Sequence, residues 1–327
     1  MKEIGGFFEL ELPKVNEKYH NNAISLNTAR NSLEYILRSE NYRKIYIPYY
    51  ICSSVLEAIK KIDIESEYYT IDENFMPNVG LEGLKSDELF LYVNYFGVCL
   101  SNVEILIEKK KCLGFNLCID NTQAFFIKPK GENHTIYSAR KFFGVPDGAY
   151  LYTNKKLNET LKKEVSYDKF THLLKRIDLG ANDSYSDFKE NSRLHSNQDI
   201  KEMSNLSKRI LESIDYCSYK KLRNDNFKEL HSVLKNYNEL KINFEDIEGP
   251  MIYPFLIKDG YEIKKYLIEN KVYVATYWNE VLEKVELNSR EGYLVKNLIA
   301  LPIDQRYSDS DMRLILDLIN KKLLGRY

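Results

Sequence analysis

The chain has 327 residues, 44% hydrophobic and 29% charged, a composition that fits an ordinary folded protein and excludes disorder on a domain scale. Its 47 basic and 48 acidic residues leave a formal net charge of -1, so no global field draws it to nucleic acid or an anionic membrane, and any bound anion must be gripped locally. Five scattered cysteines lack the close pairs of a zinc site or redox dithiol, and no run of about 18 apolar residues predicts a membrane span.

The N-terminal MKEIGGFFELELPK has no continuous apolar core of a signal peptide, so with the scattered cysteines a cytoplasmic location is expected. Apolar Leu33, Ile36 and Leu37 at helical spacing predict a helix from Asn27 to Leu37, and Lys44-Ile-Tyr-Ile-Pro48 predicts a short strand stopped by proline. Residues 50–61 predict a second amphipathic helix, Glu65–Ile71 and Glu88–Asn94 two strands, Asn102–Lys111 a helix, and Leu117–Asp120 a strand with an acid at its carboxyl end. Strands separated by helices of this length imply a mostly parallel sheet flanked by helices, with ligands collecting outside the strands' carboxyl ends.

Beyond residue 155 the chain turns Lys-, Glu- and Asn-rich. Ala181–Ser196 reads as a polar loop, and helices are expected near 199–217 and 219–240. A strand at Met251–Ile257, a helix at Tyr261–Asn270, a strand at Val272–Thr276 and a last helix from Ser308 to Leu324 predict a smaller α+β unit, with Asp309 and Asp311 favouring the start of that last helix. The expected organisation is a large domain over 1–155, a helical connection over 156–245 and a small C-terminal domain over 246–327.

Four segments carry candidate chemistry. Asp120 in Ile119-Asp-Asn-Thr-Gln-Ala124 offers a carboxylate at a strand end, able to hold a protonated ring nitrogen or merely to cap a turn. Lys141 in Tyr137-Ser-Ala-Arg-Lys-Phe-Phe-Gly144 is bracketed by aromatics that can desolvate its amine and make it nucleophilic, although a surface lysine has the same local sequence. Leu26-Asn-Thr-Ala-Arg-Asn-Ser-Leu33 opens a helix with small polar residues, which suits either an anion site assisted by Arg30 or an ordinary N-cap. Val93-Asn-Tyr-Phe-Gly97 is a strand end that can line the same cleft. The histidines His20, His134, His172, His195 and His231 have no metal-ligand spacing, so no metal is expected. Trp278 fits core packing or a site wall equally well.

The order of these segments resembles the DegT/DnrJ/StrS-type sugar aminotransferases. The strand ending in proline is IYIPYY here, the family's VH-x-x-G strand end is VNYFG, its D-x-x-Q-A is DNTQA, and its lysine segment is KFFGVPDG. MSNLSKRIL, RNDNFKELHSVL and LPIDQRYSDSDM are similar to its later helices and closing strand. The resemblance implies a fold-type I transferase using pyridoxal 5'-phosphate (PLP), with Lys141 as the covalent anchor and proton carrier and Asp120 at the pyridine nitrogen. It also implies Gln123 near the phenolic oxygen, and Ala29, Arg30, Asn31 and Ser138 around the phosphate. The family's ring-stacking aromatic falls near Cys52, so Tyr49 or Tyr50 is expected to substitute.

Two positions depart from the pattern. Ile136 stands where the family has a serine five residues before the lysine, with Ser138 three before it, as in aspartate-aminotransferase-like enzymes. The segment whose asparagine reaches the neighbouring subunit's phosphate is Ile200-Lys-Glu-Met203 here. The implied activity is amino transfer from glutamate to a nucleotide-linked keto-sugar in surface-polysaccharide biosynthesis, by a cytoplasmic homodimer with no nucleic-acid or membrane partner. The alternatives are another PLP reaction, such as elimination or dehydration, and a non-catalytic binding or regulatory protein with the same fold.

Overall fold

All six residues of Glu88-Leu-Phe-Leu-Tyr-Val93 are buried, as expected of a strand covered on both faces in a parallel sheet. In the computed structural model, which describes residues 4–324, this segment lies inside an eight-stranded sheet. The first and last three residues, assigned from sequence to the two end domains, lie outside the described residues. The strands are β1 (Ile24–Leu26), β2 (Lys44–Pro48), β3 (Glu65–Ile71), β4 (Pro77–Asn78), β5 (Glu88–Val93), β6 (Asn116–Asp120), β7 (His134–Ser138) and β8 (Ala149–Tyr152). Their order is β1-β8-β7-β6-β5-β2-β3-β4.

The pairs β3–β2, β2–β5, β5–β6 and β6–β7 are parallel, whereas β4, β8 and β1 join antiparallel. Register places Val93 beside Asp120 and Asp120 beside Ile136, so the carboxyl ends of β5, β6 and β7 open at one edge of the sheet. Helices α1 (Ala29–Ser39), α2 (Ser53–Ile62) and α3 (Leu100–Leu113) connect the early strands. α1 starts after Thr28, whose hydroxyl accepts the Asn31 amide at 3.1 Å as an N-cap.

The second half carries α4 (Thr171–Asp178), α5 (Tyr185–Leu194), α6 (Asn205–Glu212) and α7 (Tyr216–Leu234). The antiparallel pair β9 (Ile252–Leu256) and β10 (Leu298–Pro302) follows, with α8 (Gly260–Glu269), α9 (Arg290–Asn297) and α10 (Asp309–Leu324). The side chain of Arg223, from α7, is almost fully buried and joins the two halves. It donates to the carbonyls of Pro250 at 3.0 Å, Met251 at 3.3 Å and Phe142 at 3.4 Å and to Gln305 Oε1 at 3.0 Å, with its guanidinium 4.6 Å from the centre of the Phe142 ring. Gln305 Nε2 donates to the same Phe142 carbonyl at 2.8 Å. The residue next to Lys141 is thereby tied to the C-terminal strands.

Three expected elements differ. Residues 185–194, read as loop, form α5; 272–276, read as a strand, make only an isolated bridge from Ala275 to Ala300; and the helix expected near 199–217 is confined to α6. The segment Ile200–Met203 lies along the edge of its own sheet: the Met203 amide donates to Ser25 O at 3.1 Å, and Glu202 bridges to Leu26.

Candidate active site

A cavity of about 210 Å³ opens at the carboxyl ends of β5, β6 and β7, where Val93, Asp120 and Ser138 reach it. This is the position at which parallel α/β sheets place their ligands. Lys141, Gln123, Ala29 and Arg30 also line it, so six of the nine candidate residues meet in one hollow.

The centre of the site is a short relay. Asp120 Oδ1 accepts the Thr122 amide at 2.9 Å, and Thr122 Oγ1 accepts a hydrogen bond from Lys141 Nζ at 2.9 Å. Thr122 was not singled out from sequence, although it stands inside the DNTQA motif. Gln123 is buried, and its Oε1 accepts the Phe96 amide at 2.6 Å, which leaves its amide nitrogen as the group available to the cavity. The turn Asn94–Gly97 makes that contact possible: Phe96 and Gly97 both adopt positive φ, and a Cβ on Gly97 would sit 2.7 Å from the Gln123 carbonyl oxygen. Glycine is required there.

At the opposite wall, the first turn of α1 presents Ala29 and Arg30, whose amides belong to the unpaired set at any helix start. Arg30 is not a free cation. Its Nη1 lies 2.7 Å from Glu57 Oε2 and donates to the His195 carbonyl at 2.8 Å and Ser196 Oγ at 3.3 Å.

Three candidate residues lie off the cavity. Asn31 is fully buried, its amide taken by Thr28 and its side chain by Glu34 and the Gln198 carbonyl. Tyr49 stacks on Tyr68 at 5.0 Å. Tyr50 is drawn into the core, donating to the Tyr277 carbonyl at 2.8 Å and stacking on Tyr95 at 5.7 Å. The wall expected of these tyrosines is formed instead by Cys52 and Trp278, the latter packed on Tyr50 at 4.9 Å. Aromatics also fail to desolvate Lys141 as the sequence suggested. Phe142 and Phe143 turn into the core, and Lys141 itself is exposed in the single chain.

Another part of the lining comes from α5 and the residue after it: Phe188, Ser192 and His195. His195 Nε2 is bonded to the Pro146 carbonyl at 2.9 Å, while its buried Nδ1 has no hydrogen-bond partner. Burial, reinforced by Arg140, pushes this histidine down to about 3, so the ring is neutral and Nδ1 is an acceptor. Nothing in a polar stretch with one isolated histidine signals this role.

No protein-family model matches the chain, and no curated protein is significantly similar to it in sequence. Solved structures are similar in fold. A DegT DnrJ EryC1 StrS aminotransferase from Brucella abortus superposes with a TM-score of 0.61 at 13% identity, covering 91% of this chain and 85% of the other. The chain has the fold of the sugar aminotransferases. Spr1654 from Streptococcus pneumoniae, in its PLP form, gives a TM-score of 0.63 at 16% identity over 90% of this chain and 85% of that one. DesI, solved in the presence of its TDP-sugar product, gives 0.64 at 14% identity over 93% and 82%. The sugar-aminotransferase fold thus spans both the sheet domain and the C-terminal strands.

Proposed function

We propose that this chain is a PLP-dependent aminotransferase that carries an amino group from glutamate to a nucleotide-linked keto-sugar. The observation that carries the reading is the convergence of an amine, a carboxylate and a helix start on one cavity in this fold: Lys141, Asp120 and Ala29–Arg30. The donor set fits the cofactor. Asp120 would hold the pyridine nitrogen, Gln123 the phenolic oxygen, Lys141 the aldehyde carbon, and Ala29, Arg30 and Ser138 the phosphate, with Trp278 and Cys52 as walls. Bound PLP supplies an electron sink for negative charge at the substrate carbon that bears nitrogen.

The chain's own groups do the rest. Lys141 takes the proton from that carbon and returns it during amination of the acceptor. Thr122 holds the lysine amine at a fixed point while Asp120 fixes the Thr122 amide, so one short segment orients both ends of the site. Retention of Lys141 favours amino transfer over sugar dehydration, because the dehydratases that resemble this family carry histidine at that position.

A homodimer is part of the proposal. Support comes from the exposed Lys141 beside the cavity and from the apolar residues Tyr167, Leu174, Ile177, Leu179, Tyr185 and Phe188, which face outward on and around α4 and α5. No helix among the described residues is long and apolar enough to cross a membrane. The cytoplasmic location rests on the sequence alone, and the role in surface-polysaccharide assembly on the family resemblance alone.

The test is an absorbance spectrum of the purified protein with PLP. A band in the near-ultraviolet to visible range that shifts with glutamate and returns with a nucleotide-linked keto-sugar supports the proposal. Protein that stays colourless and takes up no PLP favours a non-catalytic binding role instead, and ammonia release without donor consumption favours elimination.

A further inference from the structure

Two arginines, Arg30 and Arg140, line the cavity, and their circumstances differ. Arg30 is paired with Glu57 at 2.7 Å and bonded to a carbonyl and a hydroxyl. Arg140 has no ion pair within 4 Å and no hydrogen bond among the described residues. The acid whose charge acts on it is Asp147, and that carboxylate is already used. It accepts from the Ser204 amide at 2.9 Å, Ser204 Oγ at 2.6 Å and Ser207 Oγ at 2.5 Å, where it secures the start of α6.

Burial pushes Arg140 down to about 10, and the neighbouring Arg30 adds to this. The guanidinium remains charged at neutral pH all the same. The two histidines whose charged forms it disfavours, His172 and His195, sit on α4 and just after α5. Folding therefore maintains a cation beside a second cation and near two neutral rings, with no carboxylate among the described residues in ion-pair contact with it. Unpaired charge in such a place is costly unless a ligand supplies the counter-charge.

We propose that Arg140 holds the phosphate monoester of the cavity's ligand, which on the reading above is the cofactor's. A phosphate monoester is close to a dianion at neutral pH. The Arg30 charge is largely answered by Glu57, so helix amides and hydroxyls alone would leave that dianion short of positive charge. Arg140 provides the missing charge, and its planar fork suits two phosphate oxygens. Its immediate neighbour in sequence is Lys141, which makes the anion grip and the covalent anchor adjacent residues of one segment.

The test compares wild-type protein freed of cofactor with Arg140→Gln, using inorganic phosphate, PLP and unphosphorylated pyridoxal as probes. Phosphate should raise the melting temperature of the wild type, and the substitution should raise the phosphate concentration needed by about 10- to 100-fold. PLP should bind the variant weaker by a similar factor, while pyridoxal should bind both proteins equally. Without ligand the variant should melt no lower than the wild type, since Arg140 makes no hydrogen bond, and that comparison shows that the variant is folded. A variant with an undiminished phosphate response, or one that loses only its response to glutamate, overturns the assignment. An Arg140-dependent phosphate response in a protein that binds no PLP supports Arg140 as an anion site and overturns the cofactor reading instead.

Discussion

Lys141 donates to the Thr122 hydroxyl at 2.9 Å, although 19 residues separate the two along the chain. Because the Thr122 amide is itself held by Asp120, the amine has a defined resting point beside the strand end. Lys141→Ala should abolish turnover and the visible absorbance band. Thr122→Val should keep the band and lower the rate by about tenfold, the worth of one hydrogen bond that orients a reacting group. An unaltered spectrum in Lys141→Ala would remove the lysine from its role.

Asp120→Asn isolates charge from geometry. The asparagine Oδ1 can still accept the Thr122 amide, so the loop should keep its shape and the protein should still take up PLP. Loss of the negative charge should slow each half-reaction by about 100-fold or more. Stopped-flow absorbance with glutamate measures this, and a wild-type rate in the variant would mean that Asp120 serves only as a turn cap.

Arg223→Met probes the junction between the sheet and the C-terminal strands. The substitution leaves the carbonyls of Pro250 and Met251 short of a donor. We expect a loss of about 3–5 kcal/mol in denaturant unfolding. A loss below about 1 kcal/mol would show that water replaces the guanidinium at little cost.

Acid should weaken the fold before carboxylates titrate. Burial pushes His20 down to about 3, His134 to about 4 and His195 to about 3 from an ordinary 6.5. The unfolded chain therefore binds more protons than the folded one between pH 6.5 and these values. The stability held by the neutral rings is fully present above pH 6.5 and drains away as pH falls through that window. At pH 5 the loss should be on the order of 1–2 kcal/mol per histidine, seen as a lower urea midpoint than at pH 7. A midpoint that does not change between these two pH values would contradict it.

The sheet was readable where side-chain pattern and burial coincide. The apolar run 88–93 and the strand that ends at Asp120 lie where the sequence predicts them. α5 was not, because Tyr185, Phe188 and Leu194 stay exposed and Asn191 is its only buried residue; a helix that buries almost nothing shows no apolar stripe. Residues 272–276 include the strand-type Val272, Tyr273 and Val274 but gain only the one bridge at Ala275, since propensity does not supply a partner. Within the site, motif residues Lys141, Asp120 and Gln123 were legible by order. The direction of Tyr50 was not, because its hydroxyl bond to the Tyr277 carbonyl, 227 residues away, decides it.

One wall of the hollow is furnished by α5, through Phe188, Ser192 and the neighbouring His195. Those three positions lie outside every recognisable signature, while Lys141, Asp120 and Gln123 sit inside them. If the proposed amino transfer holds, a change in this stretch of surface helix alters the hollow without touching Lys141 or Asp120, so exchanging α5 between proteins of this fold should shift which acceptor is taken while the cofactor band stays the same.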